Sequence, residues 1–181
     1  MPDEPLELLR QRLPYRDCAG IALFNRQGKV FIGRRRMAGD SEESALHGAP
    51  WQMPQGGIDD GETPLAAAKR ELFEETSVTS IELIAEASDW VFYDVPDGLL
   101  GKAFKGRYRG QRQRWFAFLF TGDAPEIDVM APGGGKFHAE FDEWRWEDLD
   151  RLPELIVAFK RDAYRQVVAA FADIPGRLRH G

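Results

Sequence analysis

The 181-residue chain has a single cysteine, Cys18, and only three histidines. No internal disulfide is available, and no Cys/His cluster has the spacing of a zinc site. Cys18 is expected to be a small buried apolar residue, as free cysteines commonly are. No apolar run approaches the ~20 residues of a membrane-spanning helix, and the opening MPDEPLELLRQ lacks a signal-peptide core. These absences predict a protein of the reducing cytoplasm with no membrane partner. Repeats, low-complexity tracts and linkers are also missing, so residues 1–181 read as one domain with a core over about 15–172. Basic charge is short overall: 24 Lys and Arg against 30 Asp and Glu leave a net −6, which argues against charge-driven coating of nucleic acid. What basic charge there is clusters between Lys102 and Arg114. KAFKGRYRGQRQR carries two lysines and four arginines and no acid, which suggests a defined path for a polyanion.

The most informative stretch is Gly56 to Val78, GGIDDGETPLAAAKRELFEETSV. A tight glycine-bearing loop runs into Glu62. Thr63 is placed to N-cap a helix whose first position is Pro64, where a missing N–H costs nothing. Leu65, Ala68, Leu72 and Thr76 recur at helical spacing and form a face to be buried. Glu71, Glu74 and Glu75 stand at i, i+3 and i+4, so their carboxylates share another patch. Like charges at that spacing disfavour an isolated helix by about 0.2–0.5 kcal/mol per pair, and a shared cation reverses the sign. Oxygen-only ligands suit magnesium or manganese, which bridge to substrate phosphates.

Around this stretch the chain alternates strands and helices. A short helix is expected over Leu6 to Leu13, strands over Cys18 to Phe24 and Lys29 to Gly33 with a turn at Asn25–Gly28, and one or two strands between Ile81 and Tyr93. Arg34, Arg35 and Arg36 follow the second strand and read either as a charged edge or as phosphate contacts. Residues 37–50, with His47 as a surface histidine, read as a loop. Pro96 to Gly110 is a second, basic loop. Gln113 to Thr121, QRWFAFLFT, is the strongest strand signal, and its Trp115, Phe116, Phe118 and Phe120 read as core. Pro132-Gly133-Gly134-Gly135 is a loop, and a short strand ends the segment 138–146. Apolar residues at 156, 159, 163, 167 and 170/171 predict one amphipathic helix from Leu152 to about Phe171, followed by a frayed PGRLRHG tail.

Gly56, Glu62, Arg70, Glu71, Leu72, Glu74, Glu75 and Val78 together match the Nudix box, and the chain is identified on them as resembling the Nudix hydrolases. The family usually has glycine where this chain has Ser77; a left-handed serine there costs about 1 kcal/mol relative to glycine. The resemblance implies an α/β fold, a Nudix α/β/α sandwich with a mixed β-sheet flanked by helices. It also implies metal-dependent hydrolysis of a nucleoside diphosphate linked to another group. Glu71, Glu74 and Glu75 would be ligands for Mg2+ or Mn2+, with Gly56 beside them in the loop. Glu75 or Glu74 would serve the attacking water, and Arg70 would orient the glutamates by pairing with Glu62. Gly56 and Gly57 would keep the loop clear of metals and phosphates.

The segments WQMPQGGID, RQRWFAFLF, EFDEWRW and AFKRDAYRQV resemble the bacterial RNA 5′-pyrophosphohydrolases, a subgroup that overlaps with the asymmetric diadenosine tetraphosphate hydrolases. The implied substrate is 5′-phosphorylated RNA or, alternatively, a dinucleoside polyphosphate. On this resemblance Glu140 is a further metal ligand or catalytic carboxylate. Val157, Phe159 and Lys160 hold the first base, although Phe159 reads equally as a core position of the last helix. Arg16, Arg34 and Gln113 are candidates for phosphate contacts. The sequence carries no signal for the oligomeric state.

Overall fold

The computed structural model describes residues 4–36 and 50–181. The expected 37–50 loop, with His47, lies outside the described residues except for Pro50. The elements are α1 (Leu6–Arg12), β1 (Tyr15–Phe24), β2 (Val30–Arg35), β3 (Trp51–Gln52), β4 (Gln55–Gly57), α2 (Pro64–Thr76), β5 (Ile81–Glu86), β6 (Val91–Asp94), β7 (Gly110–Phe120), β8 (Phe141–Glu147), α3 (Leu152–Leu155), α4 (Arg161–Ala170) and α5 (Ile174–His180).

Among the described residues eight strands join one mixed sheet, whose main path is β3-β2-β1-β7-β5. β1 and β7 run parallel in unbroken register from Tyr15 opposite Gly110 to Phe24 opposite Leu119. Every other pairing is antiparallel: β4 on β1, β8 on β2, and β6 and β5 on successive halves of β7. The β1–β7 pair is central because the C-terminal halves of both strands are apolar on both faces, as strands covered from both sides must be. On one face Ile21, Leu23, Phe116 and Phe118 pack under Ala67, Ala68 and Leu72 of α2. On the other, Ala22, Trp115 and Ala117 pack with Ala163, Tyr164 and Val167 of α4 and Ile174 of α5. Trp115, Phe116, Phe118 and Phe120 are all buried, each side chain contributing about 1.5–3 kcal/mol of transfer free energy.

Two expectations at the C-terminal end need correction. The single helix over 152–171 is three pieces: α3 ends at Leu155, Ile156 and Val157 are extended (ψ 155° and 140°), and a 3-10 turn over Ala158–Lys160 leads into α4. At the break Ile156 is buried in the core, and Phe159 packs against that same core while it borders, with Lys160, the cavity described below. The PGRLRHG tail is not frayed. It forms α5, anchored by buried Ile174 and by Leu178 against the same core. Gly28, in the β1–β2 turn, permits that docking: a Cβ there would stand 2.6 Å from the Pro175 carbonyl oxygen.

Candidate active site

The site is built where β1, β4 and α2 meet. Thr63 Oγ1 accepts the Ala66 N–H at 3.2 Å and caps α2, and Pro64 opens its first turn. From that fixed start α2 carries its acidic residues to the sheet. Glu75 is buried, Glu71 is 15% exposed and Glu74 is 30% exposed.

Arg70 ties loop to helix. Its guanidinium donates to both Glu62 oxygens (2.8 and 2.9 Å), the Gly57 carbonyl (2.8 Å), Glu71 (2.7 Å) and Glu74 (3.3 Å). Those bonds hold the Glu62 carboxyl down at about 2. Glu62 also accepts the Asp59 N–H at 3.0 Å, so one ion pair fixes the whole entry loop.

Two glycines make room. A Cβ on Gly56 would lie 2.0 Å from the Glu71 carboxyl carbon, and one on Gly57 would lie 2.5 Å from Arg16 Nη2. β4 therefore passes between these side chains without displacing them because both positions are glycine. Ser77 caps the helix in the left-handed conformation, φ +66°.

These elements border a cavity of about 590 Å³. One group of lining residues is acidic: Glu71, Glu75 and Glu140, with Gly56. Burial, and then the charges of Glu71 and Glu140, push the Glu75 carboxyl well above its usual range; a bond from the Gln55 N–H opposes this only in part. Glu75 Oε2 is buried with no hydrogen-bond partner. A buried, unsatisfied carboxylate oxygen beside two more carboxylates is the chemistry of a hard-cation site. Among the described residues no three His, Cys, Asp or Glu side chains already converge as a cage. Arg70 instead occupies Glu71 and Glu74. A cation that keeps several waters needs only a few carboxylates, so the donors present fit one.

The second group of lining residues includes Tyr93, Phe159, Lys160 and Gln111. Tyr93 and Phe159 stand 5.8 Å apart between ring centroids, and the Lys160 ammonium lies 5.2 Å over Tyr93. Gln111 is the cross-strand neighbour of Tyr93. Cationic Arg16, Arg35, Lys102 and Lys105 line the same cavity.

Of the residues expected from the sequence, Arg16, Gly56, Glu71, Glu75, Glu140, Phe159 and Lys160 border the cavity. Arg70 and Glu74 stand beside it, joined to Glu71 through the guanidinium. Arg34, Gln113 and Val157 are not brought in. Arg34 pairs with Asp142 (2.7 Å) and Glu143 (3.0 Å), and after an irregularity in the β2–β8 pairing Arg35 reaches the cavity. Gln113 is buried behind Gln55 and Gln111. Val157 packs against the core at the helix break. Gln111 and Tyr93 were missed, while Arg35 was weighed for phosphate contact only within the run Arg34–Arg36; the period-two alternation that places Gln111 on the same face as Gln113 was the available signal for Gln111.

The basic strip is also less continuous than its sequence. Arg109, Arg112 and Arg114 pair with Asp94, Asp17 and Glu86, so only Lys102 and Lys105 of its cations line the cavity.

The sheet order, the glycine-lined entry loop and the glutamate-bearing helix define a Nudix fold, and the NUDIX domain family matches residues 14–167. The chain belongs to that family, whose members are pyrophosphohydrolases that typically depend on a divalent metal. Among its relatives, the RNA pyrophosphohydrolase of Bradyrhizobium sp. (strain ORS 278) is 58% identical over 164 residues, covering 91% of this chain and 96% of that protein. The RNA pyrophosphohydrolase of Rhodopseudomonas palustris (strain BisB18) is 57% identical over 88% of this chain and 89% of that protein. Similar solved structures include the E. coli dihydroneopterin triphosphate pyrophosphohydrolase (TM-score 0.60, 21% identity, 86% of this chain and 98% of that one). The C. elegans Ap4A hydrolase is similar too (TM-score 0.57, 16% identity, 87% and 98%). At these identities the structures speak to the fold. No helix among the described residues is long and apolar enough to cross a membrane.

Proposed function

We propose that this protein is an RNA 5′-pyrophosphohydrolase of the cytoplasm, converting 5′-triphosphate or 5′-diphosphate ends to monophosphate with release of pyrophosphate or phosphate. The observation that carries the reading is the joining, in one cavity, of the unsatisfied Glu75 carboxyl oxygen, with Glu71 and Glu140 near it, and an aromatic wall bearing a cation. High identity to RNA pyrophosphohydrolases over nine-tenths of the chain supports it.

Mg2+ or Mn2+ would be held by Glu71, Glu75 and Glu140, with Glu74 one turn from Glu71 and the Gly56 backbone beside them. When bound, such an ion offsets phosphate charge and lowers the pKa of a coordinated water. The chain's own residues supply the rest. Glu75 is the candidate to accept the proton of the attacking water. Arg70 fixes Glu71 and the loop. Arg16, Arg35, Lys102 and Lys105 supply positive charge for the polyphosphate, and Tyr93 and Phe159 offer faces on which a base of any sequence can stack.

The deciding experiment compares kcat/KM with magnesium for a short RNA labelled at its 5′-triphosphate and for diadenosine tetraphosphate. Preference for RNA, with label leaving as phosphate or pyrophosphate, is expected. Preference for the dinucleotide by orders of magnitude would assign the aromatic wall to an adenosine and overturn the RNA reading.

A further inference from the structure

Behind the cavity wall lies a chain of buried polar groups. The Trp115 indole N–H donates to Gln113 Oε1 at 3.0 Å, and Gln113 Nε2 donates to Gln111 Oε1 at 2.9 Å and to Gln55 Oε1 at 3.4 Å. Trp115, Gln113 and Gln111 are all buried. The direction of the chain is not free. An indole has a donor and no acceptor, so the Gln113 group facing it must be the carbonyl. That turns the Gln113 amide nitrogen toward Gln111 and Gln55, and both must answer with their oxygens.

We propose that Gln113 is a positioning residue that transmits the polarity of Trp115 to the wall, so that Gln111 offers its amide nitrogen to a hydrogen-bond acceptor on a nucleobase. This deepens the reading given under Proposed function and rests on it. A base is favoured over a phosphate because Gln111 is paired in register with Tyr93, whose ring stands beside Phe159, while the carboxylates form the other group of lining residues. A glutamine able to flip would satisfy donors and acceptors alike; one whose oxygen is held discriminates between them. A wrongly presented group is left buried and unpaired, which is how a polar wall selects.

The test uses four short 5′-triphosphorylated RNAs differing only in the leading base, with wild-type protein and Gln113→Leu, each at saturating magnesium. The wild type is expected to rank the four by kcat/KM. Gln113→Leu is expected to lower that discrimination by about tenfold or more, through KM of the favoured RNA and with kcat held. Should Gln113→Leu fail to fold, Gln113→Glu keeps the acceptor for Trp115 while losing the amide donors, and the same loss of ranking is expected. Unchanged ranking in a folded variant overturns the relay. An equal KM rise for all four RNAs, with weaker inhibition by inorganic tripolyphosphate, assigns the amide to phosphate and overturns the base assignment. Wild-type protein inert on every RNA is a different failure, that of the functional reading, and takes this proposal with it.

Discussion

Ser77 at the end of α2 accepts a hydrogen bond from the Gly133 N–H at 2.8 Å, while its own hydroxyl donates to the Asp128 carbonyl at 3.3 Å. The residue that strains the helix end therefore also fastens it to the 128–137 loop. Ser77→Ala keeps the left-handed strain and loses both bonds, so a loss of about 1–2 kcal/mol is expected. Ser77→Gly relieves about 1 kcal/mol of strain while losing the same bonds, and should be close to neutral. Thermal melts of the two variants side by side check the opposition. Equal destabilisation by both would show that the left-handed backbone carries no cost here.

The raised Glu75 carboxyl gives a pH dependence with a definite sign. A carboxyl whose folded-state value lies above its unfolded one binds its proton more tightly in the native state. Stability linked to Glu75 is thus fully present below the ordinary carboxylate range and declines as pH rises through the folded-state value. In EDTA, the melting temperature should fall from pH 5 to pH 8 more in wild type than in Glu75→Gln. Magnesium should restore the wild type most at the upper end. A Glu75→Gln protein that melts like wild type across that range in EDTA would remove Glu75 as the source.

On turnover, Glu75→Gln should lose at least about 10²-fold in kcat, the scale of a displaced general base, while keeping its fold. Single-turnover assays with circular dichroism on the same sample measure both. Wild-type rate in the variant would take Glu75 out of the chemistry.

Gly56→Ala drives a methyl group into the Glu71 carboxylate, and overpacking of that kind costs about 1–3 kcal/mol. Because the atom displaced belongs to the acidic cluster, magnesium affinity should fall along with the melting temperature. Calorimetric titration checks this; unaltered affinity would place Glu71 outside the ion's reach.

The two neighbouring arginines should separate cleanly. Arg35→Ala is expected to raise KM for the polyphosphate substrate. Arg34→Ala removes two half-exposed ion pairs worth about 0.2–1 kcal/mol in total and should leave KM alone. Reversed results would contradict the facing of β2.

Much of the site could be read from the sequence because it lies on one regular element. Thr63, Pro64, Arg70 and the glutamates of α2 obey helical spacing and local capping, which need no tertiary information. The four aromatics of β7 were legible as core from their strand pattern, and Ser77 as a left-handed cap from the family resemblance, which has glycine there. What escaped depends on contacts distant in sequence. An irregularity in the β2–β8 pairing separates Arg34 from Arg35, and Gln111 instead of Gln113 stands opposite Tyr93; both follow from strand pairing, not from composition. The apolar period through 152–171 was genuine, and Ile156 and Phe159 both reach one core, yet the chain runs there through an extended stretch and a 3-10 turn instead of one helix. The tail looked disordered because Ile174 and Leu178 reveal their purpose only once the β1–β2 turn leaves room for them.

The break at Ile156 and Val157 also bears on how such an enzyme diversifies. Phe159 and Lys160 sit on a single turn held between two helices, whereas the carboxylates of the site ride on α2 and the loop before β8. Phe159 and Lys160 thus lie on a few consecutive codons, remote in sequence from the stretch of α2 that carries most of the carboxylates. Drift or engineering can therefore alter that short turn without touching a residue of α2.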